Sequence, residues 1–153
     1  MSENKGLRRR LAAAVTSTAL LFGAGVATAS TAAAAEGPEC DAGYHCAFYL
    51  YVFGGASHQY FNSDANFTND TFDVHNQFEG YGYGQGVNDR VSGASNSSTG
   101  GYESHYYRDI NYGGGLAFCV NPGSSVSSTS MSSSQINVAS SLLLRPTTSV
   151  HCY

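Results

Sequence analysis

The sequence predicts an all-β domain in which antiparallel strands and short turns form a sandwich of two Greek-key motifs. Two observations carry this prediction. After its first 35 residues the chain is rich in Gly, Ser, Thr, Asn and Tyr, which favour strands and turns over helices. One aromatic pattern also occurs twice at the same spacing, in residues 48–55 and 107–114. Two such units in one short chain indicate an internal duplication.

The first 35 residues are predicted to be a cleaved secretory signal peptide. Arginines at positions 8–10 form a basic head, and residues 11–26 are an apolar run shorter than the roughly 20 residues that a membrane-spanning helix needs. Small residues allow cleavage after Ala35, with Ala29 as the alternative. We therefore expect a secreted, extracellular protein with a single domain over residues 36–153.

The charge of this domain excludes two classes of partner. Residues 36–153 hold three arginines, no lysine and ten acidic residues, a formal net charge of −7. Nucleic acids and anionic membranes bind to patches of basic side chains, which three scattered arginines cannot form. We expect neither a nucleic-acid partner nor a membrane partner.

All four cysteines lie in the predicted domain. An even count in an exported chain predicts two disulfides, and the sequence alone allows three ways of pairing them. We favour Cys40–Cys46, which closes a local loop, and Cys119–Cys152, which ties the C-terminus to an interior strand. Chain-entropy arguments give these bridges about 2.4 and about 3.8 kcal/mol of stabilisation. No two cysteines have the Cys-x-x-Cys spacing of a zinc site.

Hydrophobic patterning locates the strands. Residues 46–53 are nearly continuous in apolar and aromatic side chains, as in a buried strand, and residues 102–106 and 116–120 alternate. Residues 71–79 are the one stretch that suits a helical turn, and the serine-rich residues 124–134 are expected to be a loop. Each repeated aromatic pair suits a hairpin corner, whose following glycine is expected to adopt a backbone angle closed to other residues.

The repeated pattern resembles the βγ-crystallin Greek-key motif. Each aromatic corner is followed some tens of residues later by a polar turn that contains serine, at residues 88–93 and 136–141. The resemblance gives a first motif over about residues 46–97 and a second over about 102–145. Together with the signal peptide and the two cysteines near the start, the chain resembles the secreted bacterial metallopeptidase-inhibitor family that uses this fold. The resemblance implies a monomer that blocks extracellular, thermolysin-like zinc peptidases.

An inhibitor of this kind presents a rigid loop, because a rigid loop loses little entropy on docking. The candidate inhibitory loop is apolar, is followed by a proline and consists of Phe118, Cys119, Val120 and Asn121. Val120 would fill the apolar pocket just beyond the scissile bond of a thermolysin-like enzyme. The alternative is that these residues are an ordinary core strand. The next candidate is the glycine–tyrosine stretch at residues 80–86, since tyrosine gives contact area at low entropy cost.

The resemblance also implies crossed calcium sites, in which each serine turn supplies ligands to both. Calcium binds six to eight oxygen atoms. The candidate ligands are Asn88, Asp89, Ser92, Asn137 and Ser140. In the crossed arrangement, Ser140 of the second turn is paired with Asp89 of the first, which is the one carboxylate of the two turns. Ser92 of the first turn is paired with Asn137 of the second. The alternative is that the two serines form hydrogen bonds across the corners and bind no ion.

The sequence thus supports two functions, a peptidase inhibitor that requires no cofactor and a calcium-binding structural or surface-binding protein without a peptidase target. An enzyme is not expected. None of the five histidines belongs to a His-Glu-x-x-His zinc motif, and the Gly-x-Ser-x-Gly motif of a serine nucleophile is absent.

Overall fold

The computed structural model describes Gly37, residues 39–75 and residues 80–153. The predicted signal peptide and both cleavage positions lie outside the described residues. The described residues form seven strands: β1 (His45–Tyr49), β2 (Ser57–Tyr60), β3 (Val91–Asn96), β4 (Tyr102–Asp109), β5 (Gly113–Val120), β6 (Ser125–Val126) and β7 (Ser141–Pro146). The only helical segments in this part of the chain are two 3₁₀ turns, Phe67–Asn69 and Ile110–Tyr112. Among the described residues, no helix is long and apolar enough to cross a membrane. The prediction of an all-β protein is therefore confirmed.

The strands form two antiparallel sheets that exchange segments. The first sheet has the order β2-β1-β3-β6 and the second the order β5-β4-β7. Strand β6 comes from the second half of the chain but pairs with β3 of the first half, where Val126 lies opposite Ala94. In return, Asp64 of the first half pairs with Leu142 of β7 through backbone hydrogen bonds of 2.8 and 2.7 Å. Each half of the chain therefore completes the sheet of the other.

Both aromatic patterns lie at hairpin connections, as predicted, but their glycines serve different purposes. In the β4–β5 hairpin the rings of Tyr107 and Tyr112 contact each other at 6.2 Å, and Gly114 has a φ of +67°. In the β1–β2 hairpin Leu50 takes the positive φ, and neither glycine does, so the expectation was wrong for this copy. Gly55 is needed because a Cβ there would overlap the carbonyl oxygen of Tyr49.

Two predicted connections differ from the structure. The proposed helical turn at residues 71–79 is wrong for its described part, because Thr71 bridges to Gly86 and Val74 bridges to Ser57 in β-type pairs. Residues 76–79 lie outside the described part of the chain. The serine-rich stretch contains β6, a short strand that serine-rich composition did not reveal.

The hydrophobic core lies between the sheets and is spanned by a chain of aromatic rings. Tyr60 stacks on Phe67 at 5.0 Å, and Phe67 meets the edge of Tyr106 at 6.4 Å. Tyr106 in turn stacks on Phe118 at 4.5 Å. Each ring pair adds about 0.5–1.5 kcal/mol beyond the area it buries. These contacts join β2 of the first sheet to β4 and β5 of the second.

The first disulfide fastens the N-terminal loop to β1. Cys40 pairs with Cys46, as the sequence predicted. Both cysteines pack with Phe48 and Val52 in a small cluster separate from the main core. Phe48 is 1% exposed, so β1 is covered on both faces, which explains its nearly continuous run of apolar residues.

The second disulfide fastens the C-terminal tail to β5. Cys119 pairs with Cys152, again the pairing that the sequence predicted. Beneath the tail, the buried side chains of Glu103 and His105 lie 2.7 Å apart, and Thr148 donates two hydrogen bonds to the Glu103 carboxylate. Burial alone would raise the pKa of Glu103, but the hydrogen bonds from His105 and Thr148 outweigh it and hold the pKa below its usual value. Glu103 thereby links β4 to the tail.

The buried imidazole of His45 should make the fold sensitive to acid. Its Nδ1 lies 2.6 Å from the Ser104 hydroxyl, the residue is 2% exposed, and burial lowers its pKa to about 4. Between pH 6.5 and 4 the unfolded chain binds a proton that the folded protein does not, so the free energy of unfolding falls as the pH falls. The full effect is about 3 kcal/mol, present above pH 6.5 and lost near pH 4.

Urea unfolding at pH 7.0, 5.5 and 4.5 measures this loss. His45→Gln should flatten the dependence over that interval, whereas the exposed control His151→Gln should keep it. An unchanged pH slope in His45→Gln would show that another group is responsible.

Candidate functional site

The predicted inhibitory loop is a buried strand. Phe118, Cys119 and Val120 end β5 and are 3%, 2% and 0% exposed. Only Asn121, the first residue of the following turn, is partly exposed. Its backbone amide donates to the carbonyl of Tyr153 at 2.9 Å. The expectation of a presented loop at these residues was therefore wrong, and the alternative of a core strand is correct. Val120 cannot reach a peptidase pocket without leaving the core.

A different part of the chain presents large apolar side chains to solvent. Five of these side chains, each between 41% and 55% exposed, lie on two neighbouring segments; we call them the aromatic surface, which consists of Leu50, Tyr51, Phe53, Tyr81 and Tyr83. The first segment is the β1–β2 connection, and the second is the glycine–tyrosine stretch at residues 80–86, which was the next candidate for the inhibitory loop. Exposed apolar groups collected in this way mark interaction sites.

Backbone pairing joins the two segments. Gly55 and Tyr81 form a parallel β-bridge, and the amide of Ala56 donates to the carbonyl of Tyr81 at 2.8 Å. Between the exposed residues of the first segment, Val52 points inward and is 1% exposed, in the cluster around the first disulfide. The first segment is therefore held by both a hydrogen bond and a buried anchor.

Three further contacts hold the second segment. Gly82 has a φ of +84° and lies so close to the ring of Tyr49 that a Cβ would overlap it. The ring of Tyr83 stacks on His75 with 3.8 Å between the ring centres. The amide of Gly84 donates to the carbonyl of Phe72 at 2.8 Å. The aromatic surface is thus exposed but built on a fixed backbone.

The two serine turns cross as the family resemblance implied. The Ser92 hydroxyl donates to Oδ1 of Asn137 at 2.7 Å, and the Ser140 hydroxyl donates to Oδ1 of Asp89 at 3.3 Å. Asp89 and Asn137 occupy equivalent left-handed positions, with φ of 55° and 58°. The structure therefore brings together both predicted pairs, one from each half of the chain.

One side-chain oxygen beside the crossed turns has no hydrogen-bond partner in the described part of the chain. The Asn88 side chain donates from Nδ2 to Oδ2 of Asp89 at 2.8 Å, whereas its buried Oδ1 forms no hydrogen bond with the described residues. Buried polar atoms are rarely left unpaired, so this oxygen is available to an additional ligand. The described residues contain one cluster of three His, Cys, Asp or Glu side chains close enough for a metal ion, which is His105 with Cys119 and Cys152. Both sulfur atoms of that cluster are committed to a disulfide.

The sequence model of peptidase inhibitor family I36 matches residues 33–119, more than half of the chain. The chain belongs to peptidase inhibitor family I36. No curated protein and no solved structure matches it. The matched region ends at Cys119 and therefore contains the aromatic surface and the first serine turn, whereas β6, β7 and the C-terminal tail lie beyond it.

Membership of family I36 identifies this protein as a peptidase inhibitor, which confirms that part of the predicted function. It also implies a peptidase as the binding partner and a role in binding rather than catalysis. The two disulfides and the inhibitor family together indicate an extracellular protein.

The packing of Gly82 against Tyr49 can be tested with a matched pair of glycines in the I36 domain. Gly82 and Gly84 both have positive φ, but only at Gly82 would a Cβ meet other atoms. Gly84→Ala should cost about 1–2 kcal/mol, the strain of a left-handed alanine. Gly82→Ala should cost a further 1–3 kcal/mol or so, because the Tyr49 ring must move. Urea unfolding of both variants measures the difference, and equal costs would show that the ring does not anchor this segment.

Proposed function

We propose that this I36 protein inhibits an extracellular zinc metallopeptidase of the thermolysin-like class by docking the aromatic surface at the substrate cleft. The observation that carries the proposal is the combination of a large exposed apolar surface and a fixed backbone in a peptidase inhibitor. Docking a fixed backbone costs little conformational entropy, so more of the contact energy appears as affinity.

The chemistry of the surface suits such a target. Thermolysin-like enzymes present an apolar pocket beside the scissile bond, and Phe53, the most exposed residue of the aromatic surface, is an apolar side chain able to fill it. The tyrosines supply large, amphipathic contact area with few rotatable bonds. A zinc peptidase attacks its substrate with a metal-activated water and forms no covalent bond to the bound chain, so we expect reversible inhibition through occupancy of the cleft by a monomer.

We propose, as part of the same account, that the fold is the βγ-crystallin arrangement of two Greek keys. The exchange of segments supports this, because β6 joins the first sheet while Asp64 pairs with β7 of the second. The crossed hydrogen bonds of the serine turns support it as well. This arrangement places each hairpin corner at the end of a sheet, where the first corner carries three of the five residues of the aromatic surface.

Inhibition assays test the function. The purified protein should inhibit thermolysin reversibly and leave serine and cysteine peptidases active. Phe53→Ala should weaken inhibition by about tenfold or more, since aromatic anchors at an interface commonly carry 2 kcal/mol or more. Phe61→Ala is the matched control, because Phe61 is also an exposed aromatic, 64% exposed, but lies outside the aromatic surface.

Each outcome is decisive. If Phe53→Ala loses inhibition and Phe61→Ala keeps it, the result supports the aromatic surface as the inhibitory site. Undiminished inhibition by Phe53→Ala would move the inhibitory site elsewhere on the domain. A wild-type protein that inhibits only serine or cysteine peptidases would reject a zinc peptidase as the target. Circular dichroism must show each variant folded.

Calcium binding is a second candidate function, favoured by the unpaired Oδ1 of Asn88. Asp89 offers a carboxylate and Ser140 a hydroxyl beside it, so three kinds of oxygen ligand come from one crossed corner. The corner with Ser92 and Asn137 has only neutral oxygens and is the weaker site. A bound calcium ion would neutralise Asp89 and tie the two halves of the chain together.

Calcium that binds the folded protein should raise its melting temperature. Asp89→Ala should abolish most of that rise, whereas Asn137→Ala should reduce it less, since Asp89 is the one carboxylate of the two turns. Differential scanning calorimetry in millimolar calcium, with magnesium as the control ion, makes the measurement. An unchanged melting temperature would show that no calcium binds here and that the two serines only form hydrogen bonds across the corners.

A further inference from the structure

A cavity of about 400 Å³ lies away from the aromatic surface, where β1, the β3–β4 connection and the segment after β2 meet. Two exposed aromatic side chains line this cavity. Phe61 is 64% exposed and is braced by an edge contact with Tyr44 at 5.6 Å. Tyr102 is 44% exposed and packs against Gly100. The volume is within the range of small-molecule sites, about 300–1,000 Å³.

Several polar groups that line the cavity are able to form hydrogen bonds with a ligand. Among the described residues, neither the Asn62 amide nor the Thr99 hydroxyl has a hydrogen-bond partner, although both line the cavity. The Ser63 and Ser98 hydroxyls also line it, and each accepts one bond from a backbone amide while its own proton remains available to a ligand. The cavity therefore offers both donors and acceptors.

The cavity carries no charge at neutral pH. None of its lining residues is Asp, Glu, Lys or Arg, and its one titratable imidazole, His45, is uncharged because burial lowers its pKa to about 4. A charged ligand would lose hydration on entering and gain no ion pair in return, which costs free energy. The lining thus selects uncharged ligands that combine an apolar face with several hydroxyl groups.

We infer that this cavity binds a neutral saccharide, with Phe61 and Tyr102 as ring platforms and Asn62 and Thr99 as hydrogen-bond partners for hydroxyl groups. A pyranose has this chemistry, since one face carries aliphatic C–H groups and the rim carries hydroxyls. Uncharged saccharides are also abundant outside cells, where two disulfides place this protein. Such a site would hold the inhibitor at a polysaccharide surface, and it is separate from the residues that dock a peptidase.

Saturation-transfer NMR and calorimetry test this with the purified protein and three defined neutral disaccharides, cellobiose, maltose and N,N′-diacetylchitobiose. At least one should bind with a dissociation constant on the order of millimolar or tighter. Phe61→Ala and Asn62→Ala should each weaken that binding about tenfold or more. Phe53→Ala is the control and should bind the saccharide as the wild type does.

The same two variants separate this site from the peptidase site, because Phe61→Ala should keep full peptidase inhibition. Absence of binding by all three disaccharides at 20 mM or so would overturn the inference. Binding that survives Phe61→Ala and Asn62→Ala would overturn it too, since the saccharide would then lie elsewhere. Preference for a hexuronate disaccharide or for a capped tripeptide over the neutral sugars would also contradict it.

Discussion

The exchange of segments between the two halves of the chain is the constraint on which the structure depends. Strand β6 satisfies the open edge of β3, and the pairing of Asp64 with Leu142 caps the edge of β7. The serine turns add reciprocal hydrogen bonds across the same junction. Either half alone would expose unpaired backbone groups and half of an aromatic core, so we interpret the domain as one cooperative unit in which neither motif folds separately.

The disulfides act where this exchange cannot, on the outer faces of the sheets. Cys40–Cys46 holds the N-terminal loop near Phe48, and Cys119–Cys152 holds the C-terminal tail near the buried pair of Glu103 and His105. The aromatic surface and the neutral cavity have no residue in common, so the two proposed binding sites can act independently.

Local patterns in the sequence predicted the all-β class and both hairpin corners, because composition and aromatic spacing encode them. The disulfide pairing was the favoured one of three, and the family resemblance implied the crossed serine turns. The inhibitory loop was misplaced because an apolar run before a proline looks the same whether it is presented or buried. Val120 is buried by strands that are distant in sequence and by the C-terminal tail, which begins some 25 residues after it. The aromatic surface was only half anticipated, since the pairing of Gly55 with Tyr81 joins segments that no local pattern relates.

Hydrogen–deuterium exchange of the protein, alone and bound to thermolysin or another inhibited zinc peptidase, tests the central claim most directly. The proposed docking predicts slower exchange on complex formation in residues 50–55 and 80–84, with no change in the turn at residues 121–124. Mass spectrometry of peptic peptides resolves these segments separately. Slower exchange centred on residues 121–124, with none in the two segments of the aromatic surface, would contradict the account and return the inhibitory site to the end of β5.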